Sequence, residues 1–347
     1  MKILVCYSET GGGHLRAAQA LAEELSLRKN IEVVLIDVGK ETNWGQKINP
    51  SLTYYFISHY LLPLYNLIYR LTDNQFGVRI LRFTIKLFWG KAFKKILNRE
   101  KPDLILTTHP IISPSTVNLD NKIPFVVVVL DLGKPHRIWF DKWADYIIVP
   151  DKEMASWASK KFKIEPSKLK PLGYPLRAAF KNPDTSTSSN TILILGAGIE
   201  SLLVISWIKK IKKKFPDKKI VVVCGHNILL EKILSKLKYV KSFGFIDNLD
   251  NLLNEADLVI TKAGPGIIME AAALKKTIIV TRWVVLQEKG NVNFVLENRL
   301  GLYDPKGKNL VSSIEKIYKN YQKYTSPKNI ISFDTEVMAD YIINLIK

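Results

Sequence analysis

The sequence predicts two consecutive α/β units, each built on a mostly parallel sheet, and three observations carry that prediction. Short apolar runs alternate with helical stretches along the whole chain. The alternation stops at a polar tract, residues 181–190, and restarts beyond it. Glycine-rich turns lead from a strand into the first helix of each half. A length of 347 residues is also about twice that of an ordinary domain.

In chain order, Ile3 to Tyr7, Val33 to Asp37, Leu104 to Thr107, Phe125 to Leu130 and Tyr146 to Val149 are apolar-rich segments of strand length. Runs of that kind belong to strands covered on both faces. The tract Lys181-Asn182-Pro183-Asp184-Thr185-Ser186-Thr187-Ser188-Ser189-Asn190 has no apolar member and reads as the domain boundary. Strand patterns resume at Thr191 to Leu195, Ile220 to Cys224, Tyr239 to Phe243, Leu258 to Thr261 and Thr277 to Thr281. The expected domains are therefore 1–180 and 191–325, with 326–347 as a helical segment returning to the first. Ligands of paired doubly wound units bind outside the carboxyl ends of the strands, so a central cleft is expected to hold the site.

Composition narrows the function. An apolar share of 47% excludes disorder. The 51 basic against 32 acidic residues leave +19, which attracts nucleic acid, anionic lipid or phosphorylated ligands. Cys6 and Cys224, each inside an apolar run, offer neither a disulfide framework nor a thiolate metal site and fit a reducing, cytoplasmic setting. The amino terminus passes straight into a strand pattern, so secretion is not expected. The charge-free stretch Ile48 to Tyr69 carries Pro50 and Pro63 and reads as interfacial or folded, not as a membrane span.

The turns carry the chemistry. Gly11-Gly12-Gly13-His14 joins the first strand to a helix, matching neither the dinucleotide nor the P-loop spacing. Such a turn is either a bare strand-to-helix connection or a place where free helix amides meet an anion. His14 at its end is a candidate general base. The second half opens on Gly196-Ala197-Gly198, a weak pyrophosphate signal by itself. Further on come Gly264-Pro265-Gly266 with Glu270, then Gln287-Glu288 with Asn291, polar side chains suited to sugar hydroxyls.

These motifs, together with Thr108-His109-Pro110, Asp131-Leu132, Pro135-His136-Arg137-Ile138-Trp139-Phe140 and Gly173-Tyr174-Pro175-Leu176-Arg177, resemble glycosyltransferase family 28 in its diacylglycerol branch. The likeness runs from Met1 to about Tyr303. It implies the GT-B architecture, two Rossmann-like domains facing a central cleft, and transfer of galactose or glucose from a UDP-sugar to diacylglycerol with inversion. By position it implies His14 as general base and Gly13, Gly196, Gly198, Gly264 and Gly266 about the donor. It places Arg177, Phe245 and Ile246 on the uridine side, Glu270 on the ribose, and Gln287, Glu288 and Asn291 on the hexose. His109, Asp131 and His136 fall on the acceptor side. No Asp-x-Asp pair offers a Mg²⁺ or Mn²⁺ clamp, so neither metal nor cofactor is expected.

The charge is concentrated. Between Arg70 and Lys101 nine basic residues face Asp73 and Glu100. At 100° per residue Arg79, Arg82 and Lys86 share a sector beside an apolar stripe of Phe76, Ile80, Phe83 and Leu87, with Trp89 nearby. That pattern suits an anionic membrane surface, with a partly buried helix bearing a solvated basic face as the alternative. A second run, Lys209 to Lys219, reads as the solvated face of a helix. No nucleic-acid module is recognisable, and nucleic acid is not an expected partner. The expected location is the cytoplasm, peripheral on the inner face of the cell membrane. Other readings left open are lipid-linked N-acetylglucosaminyl transfer, UDP-sugar 2-epimerisation, or a non-catalytic nucleotide-sugar and membrane binding protein.

Overall fold

The computed structural model describes residues 1–8, 12–42, 61–117, 123–180, 190–247, 249–284, 286–325 and 333–345. Gly11, most of the boundary tract and the first part of the charge-free stretch, residues 48–60, lie outside them. The chain divides into two compact units. The first comprises Met1–Ala178, Val285–Gly290 and Ile331–Lys347; the second comprises Ala179–Val284 and Asn291–Ile330.

In the first unit, β1 (Lys2–Tyr7), β2 (Glu32–Asp37), β3 (Leu104–Thr107), β4 (Phe125–Val128), β5 (Tyr146–Val149) and β6 (Leu169–Pro171) form one sheet in the order β2-β1-β3-β4-β5-β6. Every ladder is parallel. Ile3, Leu4, Val5 and Cys6 of β1 and Leu104, Ile105 and Leu106 of β3 are fully buried, which accounts for their unbroken apolar runs. Helix α1 (Gly12–Ser26) lays Ala17, Ala18, Leu21 and Leu25 into this core. The carboxyl-terminal helix Thr335–Asn344 packs on α1, with Arg28 Nη2 2.8 Å from Asp340. Its Thr335 hydroxyl donates to the Leu176 carbonyl and accepts the Leu176 N–H.

Among the described residues, two helices follow β2. Helix α2 (Leu62–Thr72) begins with Pro63 in its first turn; α3 (Gln75–Glu100) is capped by Asn74, whose side chain accepts from the Phe76 and Gly77 amides. A Cβ on Gly77 would stand 1.9 Å from the Leu71 carbonyl oxygen, so only glycine lets the two helices meet this closely. Leu64, Leu67, Ile68 and Leu71 of α2 and Phe76, Ile80, Phe83, Leu87 and Phe88 of α3 are all exposed. The apolar stripe is thus present, beside the exposed Arg79 and the half-buried Lys86 and Trp89.

Arg82 corrects the expected basic sector. Its guanidinium turns inward, donating to the Phe140 carbonyl at 3.1 Å and lying 3.7 Å from the fully buried Asp141 carboxylate. Helical angle alone gave Arg82 the same sector as Arg79 and Lys86. The buried carboxylate captures it instead, because a buried charge needs an opposite partner. Among the described residues no helix is long and apolar enough to cross a membrane.

In the second unit, β7 (Thr191–Leu195), β8 (Lys219–Val223), β9 (Val240–Phe243), β10 (Leu258–Lys262), β11 (Thr277–Arg282) and β12 (Gly301–Tyr303) form another all-parallel sheet, ordered β12-β11-β10-β7-β8-β9. The helix Ser201–Lys214 buries Val204, Trp207, Ile208 and Ile211, which leaves its lysine run as the solvated face. β6 and β12, three residues each, carry no apolar run and have no counterpart among the expected strands.

Candidate active site

Parallel pairing sends the loops after β1, β3 and β4 out of one end of the first sheet, and the strand order reverses between β1 and β3. That is where ligands of doubly wound sheets bind. The loop after β1 enters α1 through Gly12 and Gly13; no atom lies within 4 Å of the place a Gly13 Cβ would take, so the turn opens onto free space.

His14 sits in the first turn of α1. Its Nδ1 is 2.6 Å from the Thr108 carbonyl oxygen, and the Thr108 hydroxyl donates back to the His14 carbonyl at 3.0 Å. A carbonyl oxygen only accepts, so Nδ1 bears the proton and Nε2 keeps its lone pair. Burial draws the imidazole down to about 4, partly offset by the Thr108 carbonyl, so the ring is neutral at pH 7. The His109 ring stands 4.4 Å away and the Trp139 ring 6.0 Å away. His109, buried and beside His14, is held well below the usual histidine range by burial, so it adds no competing charge.

Asp131, at the end of β4, accepts from the Trp139 indole N–H at 2.8 Å. Burial, with a smaller push from the charge of Glu288 and against the indole's opposing effect, raises its carboxyl to about 6. Glu288 reaches this place because the segment Val285–Gly290 belongs to the first unit. Two contacts seat that segment. The Tyr65 hydroxyl donates to Gln287 Oε1, and a Cβ on Gly290 would stand only 2.1 Å from the Leu132 carbonyl oxygen. Burial with the nearby Asp131 charge holds the Tyr65 and Tyr69 phenols protonated, above the usual tyrosine range.

His136 fastens the loop that carries Trp139. Its Nδ1 accepts from the Ile138 amide, and its Nε2–H is shared between the Tyr69 carbonyl and the Thr72 hydroxyl, each at 3.2 Å. Both ring nitrogens are thereby used to hold the 3₁₀ turn Arg137–Trp139 against α2. Tyr65 and Tyr69, on α2, are site members that no sequence pattern assigned, since their roles come from elements that meet only in the fold.

The second unit carries the glycine turns. Gly196 donates its N–H to the Val223 carbonyl at 2.9 Å, and Gly198 takes φ +76°, a backbone that favours glycine. The exposed Lys262 ammonium lies 3.7 Å from where a Gly198 Cβ would be, a cation beside this turn. Gly264 caps the helix Pro265–Ala273, with Pro265 and Gly266 in its first turn and Glu270 buried within it. Phe245 is exposed and stacks on the His226 ring at 4.6 Å and 11°; Ile246 is half-buried. Gln287 and Glu288 group with the first unit, as does the half-buried Arg177, whereas Asn291 groups with the second. Asn291 is also fully buried, its amide donating to the Ala263 carbonyl at 2.9 Å. Among the described residues no group of three or more His, Cys, Asp or Glu side chains is placed to hold a metal ion.

Residues 14–176 match the monogalactosyldiacylglycerol (MGDG) synthase family, and residues 191–341 match the glycosyltransferase family 28 C-terminal domain. The chain is 27% identical over 333 residues to monogalactosyldiacylglycerol synthase 3, chloroplastic, of Arabidopsis thaliana, covering 87% of this chain and 70% of that one. It is 26% identical over 357 residues to monogalactosyldiacylglycerol synthase, chloroplastic, of Spinacia oleracea, covering 94% and 66%. Among solved structures it resembles the glycosyltransferase SsfS6 of Streptomyces sp. SF2575, complexed with thymidine diphosphate, at TM-score 0.65 and 15% identity over 99% of each chain. It also resembles MurG of Acinetobacter baumannii at TM-score 0.57 and 13% identity, covering 99% of this chain and 98% of that one. With two parallel α/β units, the fold is GT-B.

Proposed function

The chain belongs to glycosyltransferase family 28, on its MGDG synthase-like branch, and on that premise we propose how its residues move a hexose from a UDP-sugar to diacylglycerol to form a membrane glycolipid. The observation that carries the proposal is the hydrogen bond from His14 Nδ1 to the Thr108 carbonyl, which fixes a neutral imidazole with Nε2 available. The free hydroxyl of diacylglycerol gives its proton to Nε2 as its oxygen bonds to the anomeric carbon. The bond from that carbon to the diphosphate breaks, and its electron pair leaves on UDP. A base drawn down to about 4 is weak towards a resting alcohol. Proton transfer therefore accompanies bond formation, when the attacking oxygen turns acidic.

On the donor side, Gly196, Gly198, Gly264 and Gly266 open helix amino termini that suit a diphosphate, and Lys262 adds a positive charge beside Gly198. Phe245 and Ile246 with Arg177 serve the uridine, Glu270 the ribose, and Gln287, Glu288 and Asn291 the hexose. His109 and Asp131 line the acceptor side, beside His14 and Trp139.

The exposed apolar residues of α2 and α3, flanked by Arg79, Lys86 and Trp89, attach the enzyme peripherally to the anionic inner face of the cell membrane, where diacylglycerol resides. The test is incubation of the purified protein with diacylglycerol vesicles and UDP-galactose or UDP-glucose, galactose first because the named relatives are galactolipid synthases. Glycolipid is expected with one donor or both. Conversion of free UDP-sugar with no glycolipid from either donor overturns the reading.

A further inference from the structure

We propose that Arg82 is a positioning residue for the transfer, acting through Trp139 to set the His14 pocket from the underside of the lipid-facing helices. The inference rests on the assignment of His14 as base. Its ground is the way the 3₁₀ turn Arg137–Trp139 is fastened. From α3, Arg82 Nη2 donates to the carbonyls of Phe140 at 3.1 Å and Ile138 at 3.4 Å, the two residues that flank Trp139. Its Nη1 faces Asp141, whose carboxylate also accepts the Ser115 and Trp143 amides, so the fork is held at both ends. From α2, His136 is tied to Tyr69 and Thr72, and Asp73 accepts the Arg137 amide at 2.8 Å.

The turn so fastened delivers one buried side chain towards the chemistry. Trp139 is 1% exposed, its indole N–H fixed by Asp131 and its ring 6.0 Å from that of His14. On the far sides of the same helices, Leu67, Leu71, Phe76, Phe83 and Leu87 are exposed. One rigid piece therefore has an apolar outer face and an inner face that orients Trp139. A guanidinium suits this post because its planar fork reaches two carbonyls and a carboxylate together, which an ammonium does not.

The experiment is a double-mutant cycle on kcat, with the full-length protein, diacylglycerol vesicles and UDP-galactose or UDP-glucose. Arg82→Ala is expected to lower kcat about 10- to 100-fold, the scale of misplacing a reacting group, with KM for the UDP-sugar unchanged. In a Trp139→Phe background the same substitution is expected to lower kcat by less than about threefold, because its route to His14 is already cut. Lys95→Ala, exposed on the same helix, is the control and is expected to keep full activity. Full additivity in the Trp139→Phe background overturns the proposal, as does wild-type kcat in Arg82→Ala.

If Arg82→Ala does not fold, Arg82→Lys decides. It keeps the charge opposite Asp141 and loses the fork, so kcat falls with the thermal midpoint preserved; wild-type kcat in Arg82→Lys overturns the proposal. His14→Ala in the same assay separates the two claims. If it stays active, the base assignment fails; if it is inactive while Arg82 and Trp139 are additive, only this inference fails.

Discussion

Asp131→Asn tests whether the first unit holds its carboxylate at an energetic cost. Burial and the charge of Glu288 move Asp131 from the ordinary 3.8 to about 6, even though the Trp139 indole favours the ionised form. At 1.36 kcal/mol per pH unit the displacement corresponds to about 3 kcal/mol. The sign follows from linkage: a raised folded-state value stabilises the fold fully below the unfolded value and is lost as pH rises through about 6. Asparagine keeps an oxygen for the indole N–H and carries no charge. At pH 8 the variant should unfold later by up to roughly 5–10 °C, taking a few degrees per kcal/mol for a unit of this size. By about pH 3, below the unfolded value of 3.8, the difference should largely disappear, since Asp131 is then mostly protonated in both states. Thermal melts of both proteins from about pH 3 to 8 measure it. A variant less stable at pH 8, or a difference that does not change with pH, refutes the reasoning.

Phe83→Ser with Leu87→Ser should reduce binding to diacylglycerol-containing vesicles by tenfold or more at any ionic strength, as expected for losing roughly 1.5–3 kcal/mol per buried apolar side chain; unchanged sedimentation counts against the lipid-facing assignment. Arg79→Gln with Lys86→Gln should weaken binding at low salt by about 1 kcal/mol per charge and matter little at high salt; a salt-independent loss contradicts a screened surface contact. Gly290→Ala drives a Cβ against the Leu132 carbonyl, a 2.1 Å approach that must unseat Gln287 and Glu288. Donor KM should rise about tenfold or more with kcat less affected, the scale of a 1–3 kcal/mol overpacking strain, and an unchanged KM removes that loop from donor recognition. In an Asp131→Asn background the acid limb of kcat/KM should fall near pH 4, where His14 takes up its proton; a limb at the ordinary 6.5 excludes His14 as the base seen in the structure.

Ile3 to Cys6 and Ile192 to Leu195 were legible as runs of buried apolar residues, and the edge strands over Val33 to Asp37 and Tyr239 to Phe243 were legible from strand-length patterns although they are only partly buried. Leu169–Pro171 and Gly301–Tyr303 are only three residues long, too short to leave a pattern to read. Gly301 is needed because a Cβ there would stand 1.7 Å from the Ile278 carbonyl oxygen, a constraint set by a strand more than twenty residues away.

The candidate site divides in the same way. His14, Thr108, Asp131 and Trp139 each sit in a motif that a family resemblance marks, but their mutual geometry depends on β1, β3 and β4 standing side by side. Arg82 shows where helical periodicity stops. An angle of 100° per residue places it beside Arg79 and Lys86, and only the loop carrying Asp141 decides which way it turns. Likewise no local pattern tells that Gln287 and Glu288 lie with the first unit and Asn291 with the second.

The most direct test of the central claim is the rate of glycolipid formation by His14→Ala, measured beside UDP binding on diacylglycerol vesicles. Loss of a general base predicts a fall in kcat of about 10²-fold or more with the UDP dissociation constant nearly unchanged. Equal rates in the variant and the wild-type protein would contradict the account at its base.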